Sequence, residues 1–312
     1  MSLRVVVIIG PTAVGKTRLG VEVAHALGSE ILSADSRQVY RGLDLGTGKD
    51  LDEYAAVDPP VPYHLIDVAD PREVYSLYRY QQDCYRVLRR LAGDPRFGSG
   101  SVPLLMVGGS GLYVEAVVRD YRITDVPVDP DLRRRLERLP AATLADRLRT
   151  ADAEIAARTD TTSRRRLIRG LEIATAAARG PVRTSTPPGL EIEWRCYGLK
   201  ADRAVIRRRI RSRLEARLDE GLVDEVRNLL RDGLPRERLQ ALGLEYREIA
   251  EYLAGATTRG RMVEDLATAI GRFAKRQATW FRGMERRGTP IAWIAPGDAD
   301  RILDDVTRWV DG

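Results

Sequence analysis

Histidine and cysteine are scarce in this chain, with two of each in 312 residues. His25 and His64 have no cysteine cluster near them in the sequence, which argues against a zinc site. No G-x-S-x-G elbow accompanies either histidine, so a Ser-His-Asp hydrolase is not indicated. Cys84 and Cys196 are too few and too distant to form a disulfide framework, and a cytoplasmic location is expected. No run approaches the roughly 18 consecutive apolar residues of a membrane span, so no membrane partner is expected. The short apolar run Leu3–Ile9 leads directly into Gly10-Pro11-Thr12 and reads as a strand rather than a signal peptide. Lysine is scarce too. Only Lys16, Lys49, Lys200 and Lys275 occur, and the other basic residues are arginines.

What remains is a charged, globular composition. Apolar residues make up 44% and charged residues 31%, which places the chain outside the disordered regime. The net charge of +6 is carried almost entirely by arginine. A GC-rich coding sequence accounts for such a ratio. A polyanionic partner is the functional alternative to that plainer cause, because the arginine fork matches phosphate geometry.

The order of elements points to a parallel α/β sheet. Residues 3–9 are rich in β-branched side chains and read as a buried strand, followed by a helix over 16–27. Short strands are expected at 30–33 and 102–107, the second ending in Gly108-Gly109-Ser110-Gly111 with a helix from Leu112 onward. Strand, glycine turn and helix in repetition give parallel sheets whose ligands sit at the carboxyl ends of the strands. Residues 121–180 lack a strong strand pattern and read as a small helical insertion. Gly180–Glu191 connects it back, Trp194–Leu199 reads as a late strand, and residues 202–232 read as one long basic helix.

Gly10-Pro11-Thr12-Ala13-Val14-Gly15-Lys16-Thr17 matches G-x-x-x-x-G-K-[ST] between a predicted strand and a predicted helix. Converging backbone N–H groups, a helix N-terminus and the Lys16 ammonium make a polyphosphate or diphosphate site, with Thr17 placed to hold Mg²⁺. A nucleoside triphosphatase would close an apolar strand with an acid. The run 102–107 closes in glycines instead, leaving Asp67 and Asp35 as candidates. Asp35, after the second strand, can take a proton from an attacking nucleophile, or serve only as a helix cap. Lys49 reads either as a second anion contact or as a surface lysine. Arg164–Arg166 with Arg169, and Arg207–Arg209 with Arg211, Arg213 and Arg217, form two basic clusters. Positions 209, 213 and 217 share a helix face. Either cluster can be a solvated face, but like charges at this density suit a phosphate partner.

Six blocks together resemble the tRNA dimethylallyltransferases: GPTAVGKT, SADSRQVYRGLDLGTGK, VPYHLID, VGGSGLY, RLIRGLEI and AKRQATWFR, in that order. The resemblance covers nearly the whole chain. It implies a P-loop kinase-like parallel sheet flanked by helices, with the catalytic core over 1–120 and 181–312. The helical insertion, 121–180, is then expected to grip the anticodon stem. The implied reaction moves the dimethylallyl group of dimethylallyl diphosphate to N6 of adenosine 37 in tRNA. On this likeness Gly10–Thr17 hold the diphosphate, Thr17 assists Mg²⁺, and Asp35 is the general base. Ser110 stands where the family has a threonine near the reacting carbon, and Arg209 or Arg213 meets the departing diphosphate. Asp35, Ser36, Arg37 and Gln38, with Arg165, Arg166, Arg169, Lys275 and Arg276, are expected to contact the tRNA. A monomer is implied. The chain departs from the family pattern in three places, one of them an insertion that is short for the family. Thr162-Ser163 replace an Asn-Asp pair, Gly170 replaces an alanine, and the I-G-Y-K-E block is lengthened to Leu242–Glu248. A related alternative is an adenylate isopentenyltransferase acting on free AMP, ADP or ATP. A small-molecule kinase using the same loop for ATP is more distant.

Overall fold

The computed structural model describes residues 2–311 and divides into two compact units. The first comprises the chain up to Asp120 and again from Pro187; the second is Tyr121–Thr186.

The first unit is built on parallel strands in the order β3-β2-β4-β1-β5-β6. They are β1 (Ser2–Ile9), β2 (Ile31–Ser33), β3 (Tyr63–His64), β4 (Leu104–Gly108), β5 (Glu191–Leu199) and β6 (Ala292–Ile294). Central β1 pairs with β4 from Val5 opposite Leu104 to Ile9 opposite Gly108, and with β5 on its other edge. Its continuous run of valine and isoleucine is what a strand covered on both faces requires. The carboxyl ends of β1, β2 and β4 therefore come out together, where such sheets bind ligands.

Helices cover the sheet: α1 (Lys16–Leu27), the short α2 (Leu51–Ala55), α3 (Leu77–Ala92), the short α4 (Pro95–Gly98) and α5 (Gly111–Val118). Helix α1 ends at Gly28, whose left-handed backbone lets its N–H bond back to the Ala24 and His25 carbonyls.

In the second unit α6 (Pro130–Leu136), α7 (Ala141–Ala151), α8 (Ala153–Arg158) and α9 (Arg164–Ala177) enclose a separate core that includes Leu136, Leu144, Leu148, Leu167 and Leu171. Asp129, Asp152 and Ser163 cap three of these helices through their side-chain oxygens. A bridge between Thr124 and Thr184 keeps the segment after Gly180 with this unit.

Returning to the first unit, the chain forms α10 (Arg203–Asp219), α11 (Leu222–Arg231), α12 (Arg236–Leu242), α13 (Leu244–Leu253), α14 (Arg259–Arg286) and α15 (Ala299–Asp311). The single helix expected over 202–232 is thus two. Gly221 adopts a left-handed φ of 104°, which ends one helix and starts the next. On α10 the buried stripe is Ile206, Ile210, Leu214 and Leu218. Arg209, Arg213 and Arg217 each precede a stripe residue, so they run along one edge of the packed face. No helix among the described residues is long and apolar enough to cross a membrane.

Candidate functional site

A cleft of about 1110 Å³ opens over the start of α1. The phosphate loop from Ala13 to Thr17 forms one wall, and Arg209, Arg213 and Arg217 from α10 line it with Asp50. The Arg209 guanidinium donates to the Val14 carbonyl at 3.0 Å, bracing the loop from outside. Arg213 and Arg217 both donate to Asp50. Gly48 makes this approach possible. A Cβ there would collide with the Arg217 guanidinium, and the backbone φ of +63° is one that glycine adopts freely.

Lys16 turns its ammonium back to the Pro11 carbonyl at 2.9 Å. Burial pushes its pKa down to about 8; Asp35 opposes that shift and Arg213 adds to it. Burial, with the neighbouring Arg217 charge, likewise brings Arg213 down to about 10, and Asp35 is among the acids that counter it. Asp35 is therefore within electrostatic reach of both cations, although it does not line the cleft itself.

The position of Asp35 follows from how β2 and β4 end. Ala34 N–H bonds to the Val107 carbonyl at 2.8 Å, and Ser110 N–H returns to the Ala34 carbonyl at 3.1 Å. Ser110 stands at the start of α5, where its hydroxyl accepts from Ser36 N–H at 2.9 Å and donates to the Ser36 hydroxyl at 3.1 Å. The Asp35 carboxylate accepts the Arg37 N–H at 2.9 Å, a local turn that fixes its rotamer.

Gln277, which lies in the AKRQATWFR block that resembles the tRNA enzymes, links the two glycine-rich turns. Its carbonyl oxygen accepts Thr12 N–H at 2.8 Å, and its amide donates to the Gly109 carbonyl at 2.9 Å. A Cβ on Gly109 would come 2.5 Å from that amide nitrogen, so the glycine is needed for the contact. The sequence carries a signal. Gln277 is the one polar residue in the buried stripe Met262, Leu266, Ile270, Ala274, Gln277, Phe281, Met284 of α14. Buried amides at such positions have partners. Glu225 escapes sequence reasoning as well. It accepts the N–H groups of Asp44, Leu45 and Gly46 at 2.8–3.1 Å and so holds the turn before Lys49.

Several expected contacts are otherwise engaged. Lys49 is buried and paired with Asp44 and Asp67, so it is an internal counter-charge rather than a second anion contact. The same pairing removes Asp67 as a strand-end acid for a metal. Gln38 donates to the Gly48 carbonyl at 2.9 Å, and the Arg37 guanidinium donates to the Ala241 carbonyl. In the second unit Arg169 is bound to buried Glu172 and to the Val126 carbonyl. Arg166 pairs with Asp160 at 2.8 Å, while Arg165 is exposed. Lys275 and Arg276 are exposed on α14, lining a groove of about 650 Å³ with Arg272 and Trp280. Basic side chains beside an exposed aromatic ring suit single-stranded nucleic acid.

Among the described residues there is no group of three or more His, Cys, Asp or Glu able to hold a metal ion. The donors present do fit Mg²⁺, which keeps several waters and is commonly bound through substrate phosphates and few protein ligands. Thr17, at the first turn of α1 in the cleft, is the residue placed to supply one.

Residues 38–284 match the family model described as IPP transferase, and residues 3–56 match that described as Isopentenyl transferase. Among curated proteins, the chain is 46% identical over 305 residues to tRNA dimethylallyltransferase 1 of Geotalea uraniireducens, covering 97% of this chain and 96% of that one. It is 44% identical over 306 residues to tRNA dimethylallyltransferase 1 of Syntrophus aciditrophicus, covering 98% of each. Among solved structures, the full-length tRNA isopentenylpyrophosphate transferase of Bacillus halodurans superposes with a TM-score of 0.67 at 32% identity, over 99% of this chain and 96% of that one. A eukaryotic dimethylallyltransferase acting on tRNA shares the fold at 20% identity, with a TM-score of 0.70 over 96% of this chain and 75% of that one.

Two outcomes follow from the cleft. Gln277→Leu leaves the Thr12 N–H and the Gly109 carbonyl without partners, at about 1–3 kcal/mol for a buried polar group. Affinity for inorganic diphosphate, measured by calorimetry, should fall about tenfold or more with the fold intact by circular dichroism. The second concerns pH. Lys16 holds an anion only when protonated, and it loses its proton as pH rises through about 8. Diphosphate affinity should therefore weaken above that pH, by up to about tenfold per unit. Lys16→Met, which carries only the ligand's own ionisation, should lack that step.

Proposed function

The chain belongs to the IPP transferase family, and from that premise we propose how its own residues carry out the family's reaction. The protein transfers the dimethylallyl group of dimethylallyl diphosphate to N6 of adenosine 37 in tRNA, and diphosphate leaves. The observation that supports the assignment of roles is that Asp35, on the turn where β2 and β4 end, lies within electrostatic reach of both Lys16 and Arg213. This supports reading Asp35, after β2, as the base, and Lys16, after β1, and Arg213, on α10, as the cations that bind the anion.

The backbone N–H groups of Gly10–Thr17, the helix N-terminus, Lys16 and Arg213 hold the diphosphate. Arg209 braces the loop, which leaves Arg213 as the arginine that meets the leaving group. Thr17 is the protein's ligand to Mg²⁺, which when bound supplies further charge neutralisation on the diphosphate oxygens. The lone pair of the adenine N6 amine is delocalised into the ring, so it is a weak nucleophile. As the new C–N bond forms, the allylic C–O bond breaks, the electron pair departs with diphosphate, and the N6 proton passes to Asp35. Ser110, hydrogen-bonded to Ser36, holds the turn on which Asp35 stands and faces the reacting carbon. An adenine inside a stacked loop cannot reach this base, so the nucleotide has to be turned out of its stack.

For the RNA we propose contacts from Asp35, Ser36, Arg37 and Gln38, from Arg165 and Arg166, and from Lys275 and Arg276. The hydrogen bonds of Gln38 and Arg37 make that turn rigid, so it meets the RNA preformed. Arg169, tied to Glu172, supports α9 and positions its neighbours. The helical unit, with a core of its own, is the part that grips the anticodon stem, a task a free nucleotide acceptor does not impose.

Asp35→Asn tests the central role. The amide keeps the volume and can still accept the Arg37 N–H, but it cannot take a proton. Single-turnover transfer of labelled dimethylallyl groups should slow about 10²- to 10⁴-fold, the usual range for a general base. The tRNA dissociation constant should stay within about threefold of wild type. A large loss of tRNA binding at an unchanged transfer rate would instead make Asp35 an RNA contact.

A further inference from the structure

Arg213 and Arg217 reach the cleft already paired with a carboxylate. Both guanidinium groups donate to Asp50, that of Arg217 at 3.2 Å. Asp50 is itself held in place. It precedes α2 with φ 48° and ψ 46°. That left-handed conformation is one that aspartate and asparagine tolerate better than most residues. Its side chain is 27% exposed and that of Arg217 14%. The pair thus lies partly out of water, where charges interact more strongly.

A second acid stands close to the same arginines. Glu245, from the lengthened Leu242–Glu248 block, lines a cavity of about 20 Å³ with Thr12, Arg213 and Arg217. That is room for about one water, with polar groups on several sides to bind it. The arginines thus have Asp50 beside them in the main cleft and Glu245 beside them in the small cavity. Asp50, Lys16, Thr17 and Arg213 all line the main cleft.

We propose that Asp50 is a positioning residue that competes with diphosphate for Arg213 and Arg217 and so sets how readily the diphosphate product leaves. This deepens the proposed function and rests on its assignment of the cleft to diphosphate. Paired with Asp50, the two guanidinium groups are ordered before the ligand arrives, which lowers the cost of arranging them around it. Diphosphate held by the loop, Lys16 and Arg213 places its negative charge against the Asp50 carboxylate. Part of the attraction from the arginines is then offset by repulsion from the acid. When the product departs, Asp50 takes back the arginines, so leaving does not strand two partly buried cations. Substrate and product share the diphosphate group, so Asp50 weakens the binding of both.

The test is Asp50→Asn in the full chain. Asparagine keeps the left-handed backbone and the side-chain volume while removing the charge. Calorimetric titration with inorganic diphosphate in the presence of Mg²⁺ should show a dissociation constant about tenfold lower than wild type. In steady-state transfer to tRNA, KM for dimethylallyl diphosphate should fall with it, product inhibition should strengthen, and kcat should not rise. Damage to the fold weakens binding and does not tighten it, so the direction of the change separates this role from a structural one. Asp50→Gly, which accepts the same backbone, should shift affinity the same way. Unchanged or weaker diphosphate binding in both variants overturns the proposal. If the wild-type protein itself fails to bind diphosphate, the assignment of the cleft falls first and this inference with it.

Discussion

Positive charge gathered over the start of α1 has to be kept there by the protein itself. Burial depresses the pKa of Lys16, Arg213 and Arg217, and a neighbouring arginine adds to the shift at Lys16 and Arg213. Such a cluster holds together because acids face it from several elements: Asp35 after β2, Asp50 before α2, and Glu245 at the start of α13. Each acid is fixed by local backbone or packing, so the field they create is set before any ligand enters. The glycines of the surrounding turns serve the same end. Gly48 lets Arg217 pass, and Gly109 lets Gln277 join the turns after β1 and β4.

In the proposed mechanism the reaction makes particular use of this arrangement. Breaking an allylic C–O bond delivers its electron pair to diphosphate, so stabilisation is needed most where the cations already stand. The attacking amine becomes acidic only as its bond forms, and in the proposed mechanism Asp35, within electrostatic reach of the same cations, takes that proton. Arg209 has a different place in the scheme. By bonding to the Val14 carbonyl it stiffens the loop whose N–H groups are proposed to bind the anion.

How much of this was legible in the sequence depends on the range of the interaction. The phosphate loop was, because a strand, a glycine turn and a helix in succession determine it locally. The shared face of Arg209, Arg213 and Arg217 was also readable from helical spacing. The break at Gly221 was available in the same residues, though the density of arginine around it suggested one continuous helix. Lys49 shows the limit. Its two glycine neighbours suggested an anion contact, yet Asp44 and Asp67 fold around it. Gln277, Glu225 and Asp50 act on partners distant in the chain and leave only weak local marks. For Gln277 the mark is one polar residue in an apolar helical stripe; for Asp50 no pattern in its own segment announces Arg213. Arg169 lay in a basic cluster that favoured an RNA contact, but the buried Glu172 beside it claims its charge.

The most direct test of the account is transfer from labelled dimethylallyl diphosphate with Mg²⁺, offering unmodified tRNA and AMP in separate reactions. Label should enter tRNA at adenosine 37 and not AMP. Label in AMP alone, or no transfer to either acceptor alongside turnover of ATP, would contradict the proposed function.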